Sequence, residues 1–271
     1  MNPAARPWLI VLFGLLALSP ASAHAGMTPG EVKAFNDIKA KAERGDRLAQ
    51  CNLAKRYANG EGVALDQLQA VSFYRKAAAQ GLAEAQFLLG LCYFNGCEGV
   101  VQDEVQAVSF YRKAAEQGYA EAQNALGGCY FLGQGLAQDR VKAVSFYRKA
   151  AEQGLPEAQF TLGACFMQGQ GVAKDPVQGV AFIRKAAEQG YGVAQLILGE
   201  FYKGGEEGVA QDKIEAYAYF SLAVITNKDA RNPLANLEKM LSADQIADGK
   251  KRAAELQKEI DARIAAKKPR K

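Results

Sequence analysis

Histidine, serine, cysteine and acidic side chains are the groups with which this chain could move protons, attack carbonyls or hold metals. His24 is the only histidine in 271 residues. An imidazole triad, a histidine-held zinc or an imidazole proton shuttle therefore has no donor beyond position 24. Ser72, Ser109 and Ser145 each have a lysine four residues on, but the lysine-activated serine of β-lactamases uses S-x-x-K spacing, which the chain lacks. Five cysteines, Cys51, Cys92, Cys97, Cys129 and Cys165, show no C-x-x-C pair of the kind that ligates metal. Neither a metal nor a cofactor is expected.

The same cysteines bear on disulfides. Cys92, Cys129 and Cys165 recur at one helical position, on the flank of an apolar stripe. Helices pack ~8–10 Å apart, beyond the ~7 Å Cα reach of a disulfide, so these three read as inert packing residues. Cys97 follows Cys92 by five residues in a loop, and that pair is the one best placed to bond. Five thiols cannot all pair within one chain.

The elements that place these residues come from a repeat. A-V-S-F-Y-R-K-A-A-E-Q-G at Ala107–Gly118 returns almost unchanged at Ala70–Gly81 and Ala143–Gly154. G-V-A-F-I-R-K-A-A-E-Q-G fills Gly179–Gly190, and a decayed copy starts at Ala216. A fixed period of this length marks a stack of two-helix units. The fold class is all-α, a superhelical solenoid of antiparallel helix pairs. Five units are expected at 49–84, 85–121, 122–157, 158–193 and 194–229. A capping helix at 31–48 precedes them, capping helices at 230–266 follow, and a disordered basic tail closes the chain at 267–271.

Each unit opens with a helix such as Ala85–Phe94. At ~100° per residue, Ala85, Leu89, Gly90 and Tyr93 share one apolar stripe. A small residue recurs inside it, as Ala54, Gly90, Gly127, Gly163 and Gly199. Glycine lowers helix propensity by up to ~1 kcal/mol, so its recurrence implies a close helix–helix approach. A glycine-containing turn follows, then an aspartate (Asp66, Asp103, Asp139, Asp175, Asp212) placed to cap the second helix. Recurring G-x-G turns that follow helices are turn chemistry rather than a phosphate cradle. In the fifth unit Ser221-Leu222 replaces Arg-Lys, as expected of a covered helix.

Both ends differ from the repeats. Arg6, the apolar run Trp8–Leu18 and the small-x-small patterns Ala21-Ser22-Ala23 and Ala23-His24-Ala25 read as a signal peptide over residues 1–25. Eleven apolar residues span about 16 Å as a helix, too short to cross a bilayer. The expected protein is exported, periplasmic or secreted, with no transmembrane segment once mature. From Lys250 on, nine basic residues face three acidic ones, a local +6 against +4 for the whole chain. A basic tail thus ends a mildly acidic body.

The pattern A-x-x-x-L-G-x-x-Y, then G-x-G-V-x-x-D, then A-x-x-x-Y-x-K-A-A-x-Q-G resembles the Sel-1-like repeat, a longer relative of the tetratricopeptide repeat. The resemblance covers Ala49 to about Val224. It implies right-handed stacks of helix pairs that act as adaptors in protein complexes, with exported bacterial members serving envelope assembly or signalling. A cysteine-rich branch of the family is linked to β-lactam binding or hydrolysis. Here Ala77, Ala114, Ala150 and Ala186 stand where that branch has cysteine.

Two surfaces remain as candidate sites. On the first helices, opposite the core stripe, lie Phe87, Leu91 and Phe94, then Asn124 and Phe131, then Phe160 and Met167. In tetratricopeptide-like stacks this helix lines the concave surface, and apolar residues there suit a peptide or helix groove. Packing on the next unit is the competing reading. The second surface is a basic ladder, Arg75-Lys76, Arg112-Lys113, Arg148-Lys149 and Arg184-Lys185. Glu116, Glu152 and Glu188 stand four residues after three of its arginines and can pair with them. The function read from these features is a non-catalytic protein–protein interaction scaffold of the bacterial envelope, without nucleic acid as partner. A β-lactam-binding or hydrolysing enzyme is the alternative.

Overall fold

The computed structural model describes residues 28–206 and 208–267; among them there are thirteen α-helices, one short 3₁₀ turn and no strand. The expected signal segment at 1–25 lies outside the described residues, as do positions 268–271. The chain forms two compact units, one up to Ala77 and one from Ala78 onward.

In the first unit, α1 (Pro29–Glu43) begins at a capping box in which Thr28 and Glu31 satisfy each other's backbone N–H groups. Helix α2 (Arg47–Asn59) is capped by Asp46 and ends on Gly60 in the left-handed region. Helix α3 (Gln67–Ala79) follows, and its Phe73 stacks on Tyr57 of α2.

The second unit alternates first and second helices of the repeat. First helices are α4 (Ala83–Asn95), α6 (Ala120–Leu132), α8 (Pro156–Gln168) and α10 (Gly192–Gly204). Second helices are α5 (Glu104–Glu116), α7 (Arg140–Glu152), α9 (Pro176–Ala187) and α11 (Lys213–Thr226). Each first helix starts two residues before the boundary expected from the sequence. Packing alanines such as Ala85 mark the first buried position, and the helix winds one half-turn ahead of it without a side-chain cap.

Every aspartate expected to cap a second helix does so. Asp66 accepts from the Gln69 N–H at 2.9 Å, and Asp103, Asp139, Asp175 and Asp212 accept in the same way. The loop aliphatics return to the core, most fully at Val100 and Val209.

The recurring helix glycines sit where a methyl group has no room. A Cβ on Gly90 would lie 2.7 Å from the Tyr111 ring, and one on Gly127 2.8 Å from that of Tyr147. At Gly199 the obstacle is Phe220, at 2.7 Å. Gly163 meets the backbone of Gly179 and the side chain of Ile183, both at 2.8 Å.

A buried glutamine binds each unit to the next. Gln86, Gln123, Gln159 and Gln195 donate from Nε2 to the carbonyls of Ala78, Ala115, Ala151 and Ala187, at 3.2–3.4 Å. Their Oε1 atoms in turn accept from the glutamine that ends the next second helix. The pairs are Gln117 on Gln86 at 2.7 Å, Gln153 on Gln123 at 2.8 Å and Gln189 on Gln159 at 2.6 Å. The amides of Gln86, Gln123 and Gln159 are thereby satisfied on both sides.

The stack closes with α12 (Arg231–Glu238) and α13 (Ala243–Lys267), the latter opening on the expected Ser242–Gln245 capping box. Lys267, assigned by sequence to a disordered tail, instead completes α13. Helix α13 covers α11, with Gly249 against the Tyr217 ring and Arg252 paired to Glu215 at 2.7 Å. That cover is why Leu222 replaces a lysine.

Neighbouring glycines of α6 give a paired test of the helix contact. Gly127→Ala should lower stability by ~1–3 kcal/mol through overpacking. Gly128→Ala, whose Cβ would meet only the Tyr147 hydroxyl at 3.9 Å, should raise it by up to ~1 kcal/mol through helix propensity. Thermal unfolding of both variants reads the sign of each.

Candidate partner-binding face

The residues singled out on the first helices form one face in the structure, but they are not idle on it. Phe87, Leu91, Phe94, Asn124, Phe131, Phe160 and Met167 are all half-buried. Phe87 packs on Tyr111 of its own unit and on Tyr119, the residue that precedes α6, with ring centroids 5.8 and 5.4 Å apart. Phe94 lies 6.3 Å from Tyr111, Phe131 6.4 Å from Tyr147, and Phe160 5.6 Å from Tyr191. Met167 fills the space above Gly179. Phe87, Phe94, Phe131, Phe160 and Met167 thus pack on a neighbouring element with one side and show the other to solvent.

The third unit breaks the series. Asn124 stands where the flanking units have Phe87 and Phe160, and Leu155 stands where they have Tyr119 and Tyr191. The ring-on-ring contact is lost there, and the Asn124 Oδ1 is buried without a hydrogen-bond partner. One turn before Asn124, Ala120 lines a cavity of about 410 Å³ shared with Leu155, Pro156 and Ile264.

The basic ladder is organised differently from the sequence reading. Lys113, Lys149 and Lys185 reach back over Phe110, Phe146 and Phe182 of their own helices, 5.2–5.4 Å from the ring centroids. Arg148 and Arg184 lie over Phe166 and Tyr202. Among the described residues the expected Arg–Glu pairs within these helices do not form, and Glu188 pairs with Arg263 of α13 instead. Rings stacked between the two helices of each unit, such as Tyr130 and Phe146 at 5.7 Å, give the cations a face that competes with the carboxylates.

Sequence reasoning missed the glutamine ladder and this cation–ring column. A signal was present for both. A glutamine recurs beside the first core alanine of every unit, at Gln50, Gln86, Gln123, Gln159 and Gln195, and a phenylalanine stands three residues before each of the four ladder lysines.

Chemistry at the thiols is suppressed. Cys129 and Cys165 are 2% exposed, and burial pushes each thiol up to about 11. Cys51 is buried too. Cys92 and Cys97 are half-buried, Cys97 in a loop closed by paired backbone hydrogen bonds with Val100, and the structure shows no bond between the two sulfurs. Among the described residues no cluster of histidine, cysteine or acidic side chains could hold a metal, and no helix is long and apolar enough to cross a membrane.

Thiol labelling tests this placement. At pH 8 the folded, reduced chain should label at Cys92 and Cys97, with Cys129 and Cys165 reacting only on unfolding. In the unfolded chain cysteines ionise near ~8.5. Above that pH the unfolded state releases protons that native Cys129 and Cys165 keep until about 11. Their contribution to stability should therefore fall as pH rises through roughly 8.5 to 11, which denaturant titrations would read.

Comparison with known proteins places this geometry. No curated protein matches the chain. Among solved structures, a protective antigen from uropathogenic Escherichia coli strains, displaying an SLR fold, is 36% identical with a TM-score of 0.76. That match covers 91% of this chain and 54% of the antigen, so the chain spans about half the antigen's length. A Sel1 repeat protein from Oxalobacter formigenes is 32% identical over 83% of this chain and 94% of its own, with a TM-score of 0.69. An immunity protein from Pseudomonas aeruginosa, 21% identical over 78% of this chain and 80% of its own, shares the fold at a TM-score of 0.50. The family pattern described as Sel1 repeat matches at residues 47–82, 83–119, 120–155, 156–191 and 192–224. With five repeats in register with its helix pairs, the chain belongs to the Sel1 repeat family.

Proposed function

We propose that this chain is a non-catalytic adaptor that holds a protein partner on the face of its first helices. Sel1 repeat proteins are generally protein-interaction scaffolds. The observation that carries the reading here is the row from Phe87 to Met167, in which every member but Asn124 is apolar and every member is half-exposed. Packing on neighbouring rings fixes these side chains in place, so a partner meets a rigid surface and loses little freedom in ordering it. A groove of this make-up suits an amphipathic helix or an extended apolar segment.

The proposal includes export to the bacterial envelope, resting on Arg6, the run Trp8–Leu18 and the small-residue pattern at Ala21–Ala25. Intact mass of protein recovered from the periplasm should correspond to a chain starting at His24 or Gly26. Recovery from the cytoplasm at full length would overturn that part.

Cross-linked envelope extract tests the face. The mature chain should retain a partner that a variant with Phe94→Ser, Phe131→Ser and Met167→Ser loses, provided both unfold cooperatively at comparable temperatures. Where the triple variant is too unstable, Phe94→Leu and Phe131→Leu keep the packing but change the exposed ring edge. Equal capture by wild type and variants would move the interface off this face.

A further inference from the structure

Helix α13 shows what the groove between two successive second helices binds. Its Leu256 and Ile260 are buried against Ala187 and Tyr219. Ile260 also comes within 3.4 Å of where a Cβ on Gly190 would lie. Arg263 pairs with Glu188 at the edge of the same seat. An aliphatic residue with an arginine three positions later is thus the occupant of a seat made of alanine, glutamate, glycine and an aromatic ring.

The repeat builds that seat again two units earlier. Ala187, Glu188, Gly190 and Tyr219 correspond to Ala115, Glu116, Gly118 and Phe146. There the groove is open, a cavity of about 340 Å³ lined by those four residues, by Lys149 and Arg112, and by Gln123 and Leu126 of α6. Glu116 is exposed and has no ion-pair partner among the described residues. Where α11 offers Leu222 to α13, this seat offers Lys149, held 5.3 Å over the Phe146 ring. The open seat therefore keeps the apolar floor and the carboxylate, and it adds a cation.

We propose that this groove is a second docking site, and that its occupant is an amphipathic helix of a partner protein built like the end of α13. Its aliphatic residue sits over Ala115 and Phe146, its arginine three residues later meets Glu116, and an acidic residue beside the aliphatic one faces Lys149. The E-I-x-x-R order of Glu259, Ile260 and Arg263 carries all three groups. The groove continues the line of an interface the chain already forms with its own helix, and its charges complement that order. No member of the row from Phe87 to Met167 lines it, so either surface can fail while the other stands.

The probe is a fluorescently labelled peptide copying residues 249–266, titrated with the full chain and read by anisotropy. Saturable one-to-one binding is expected, weakened about tenfold by Glu116→Lys and recovered when the peptide carries Arg263→Glu. Because Glu116 is exposed, the variant should unfold at the wild-type temperature. Absence of saturable binding overturns the proposal, as does binding indifferent to Glu116→Lys. Weakening by Glu188→Lys in place of Glu116→Lys would mean that the peptide had displaced α13 from its own seat, and overturns it equally. A dimer of the chain that dissociates on Glu116→Lys would assign the groove to a second copy rather than a partner.

Discussion

A missing methyl group holds this structure together. Where first and second helices of a unit cross, a glycine on one lets an aromatic ring of the other lie flat against the backbone, as Gly90 does for Tyr111 and Gly127 for Tyr147. The ring then contributes burial of nearly its whole surface; Tyr111 is 2% exposed. Glycine weakens the isolated helix by ~1 kcal/mol, and the buried ring more than offsets that. Spacing of the two helices, and with it the position of every residue on their outer faces, follows from this one contact. The fourth unit makes the same approach with Ile183 in place of a ring, so the requirement is closeness rather than aromaticity.

Between units the linkage is of another kind. Apolar surfaces tolerate small slips, but the glutamine ladder does not. Gln123 must reach the Ala115 carbonyl and receive Gln153 at once, and a shift of one residue would strand buried amide atoms at ~1–3 kcal/mol each. Glycines of the connecting turns add a second register mark. Gly135 lets the loop press onto the backbone of Glu104, while its own N–H is held by the Glu104 carboxylate at 3.1 Å. Hydrophobic burial thus supplies most of the adhesion, and polar groups set where each unit stops.

Much of this was legible in the sequence. Period and helix type could be read from A-V-S-F-Y-R-K-A-A-E-Q-G, the caps from five aspartates in one position, and the glycine contact from its recurrence against helix propensity. Cover over the last unit was visible in the change to Ser221-Leu222. What escaped were side-chain pairings that no apolar period marks. Gln86 meets a glutamine 31 residues on, beyond any local pattern, while Phe146, only three residues before Lys149, offers the cation a ring. The partner-binding row was half legible. Helical periodicity placed Phe87, Phe94, Phe131 and Phe160 on one face, but only in the folded stack do Tyr111, Tyr119, Tyr147 and Tyr191 claim one side of each.

The exception in that row has a mechanical meaning. A stack whose neighbours touch only each other distributes bending over its joints in inverse proportion to their stiffness. Between the third and fourth units, Asn124 and Leu155 stand where the adjacent joints have interlocked rings, and a cavity of about 410 Å³ opens beside them. Of these three joints, this is the one without a ring pair across it. The end of α13, through Ile264, borders the same cavity. The C-terminal helix thus braces, from outside the repeats, the one of these three joints that no ring pair locks.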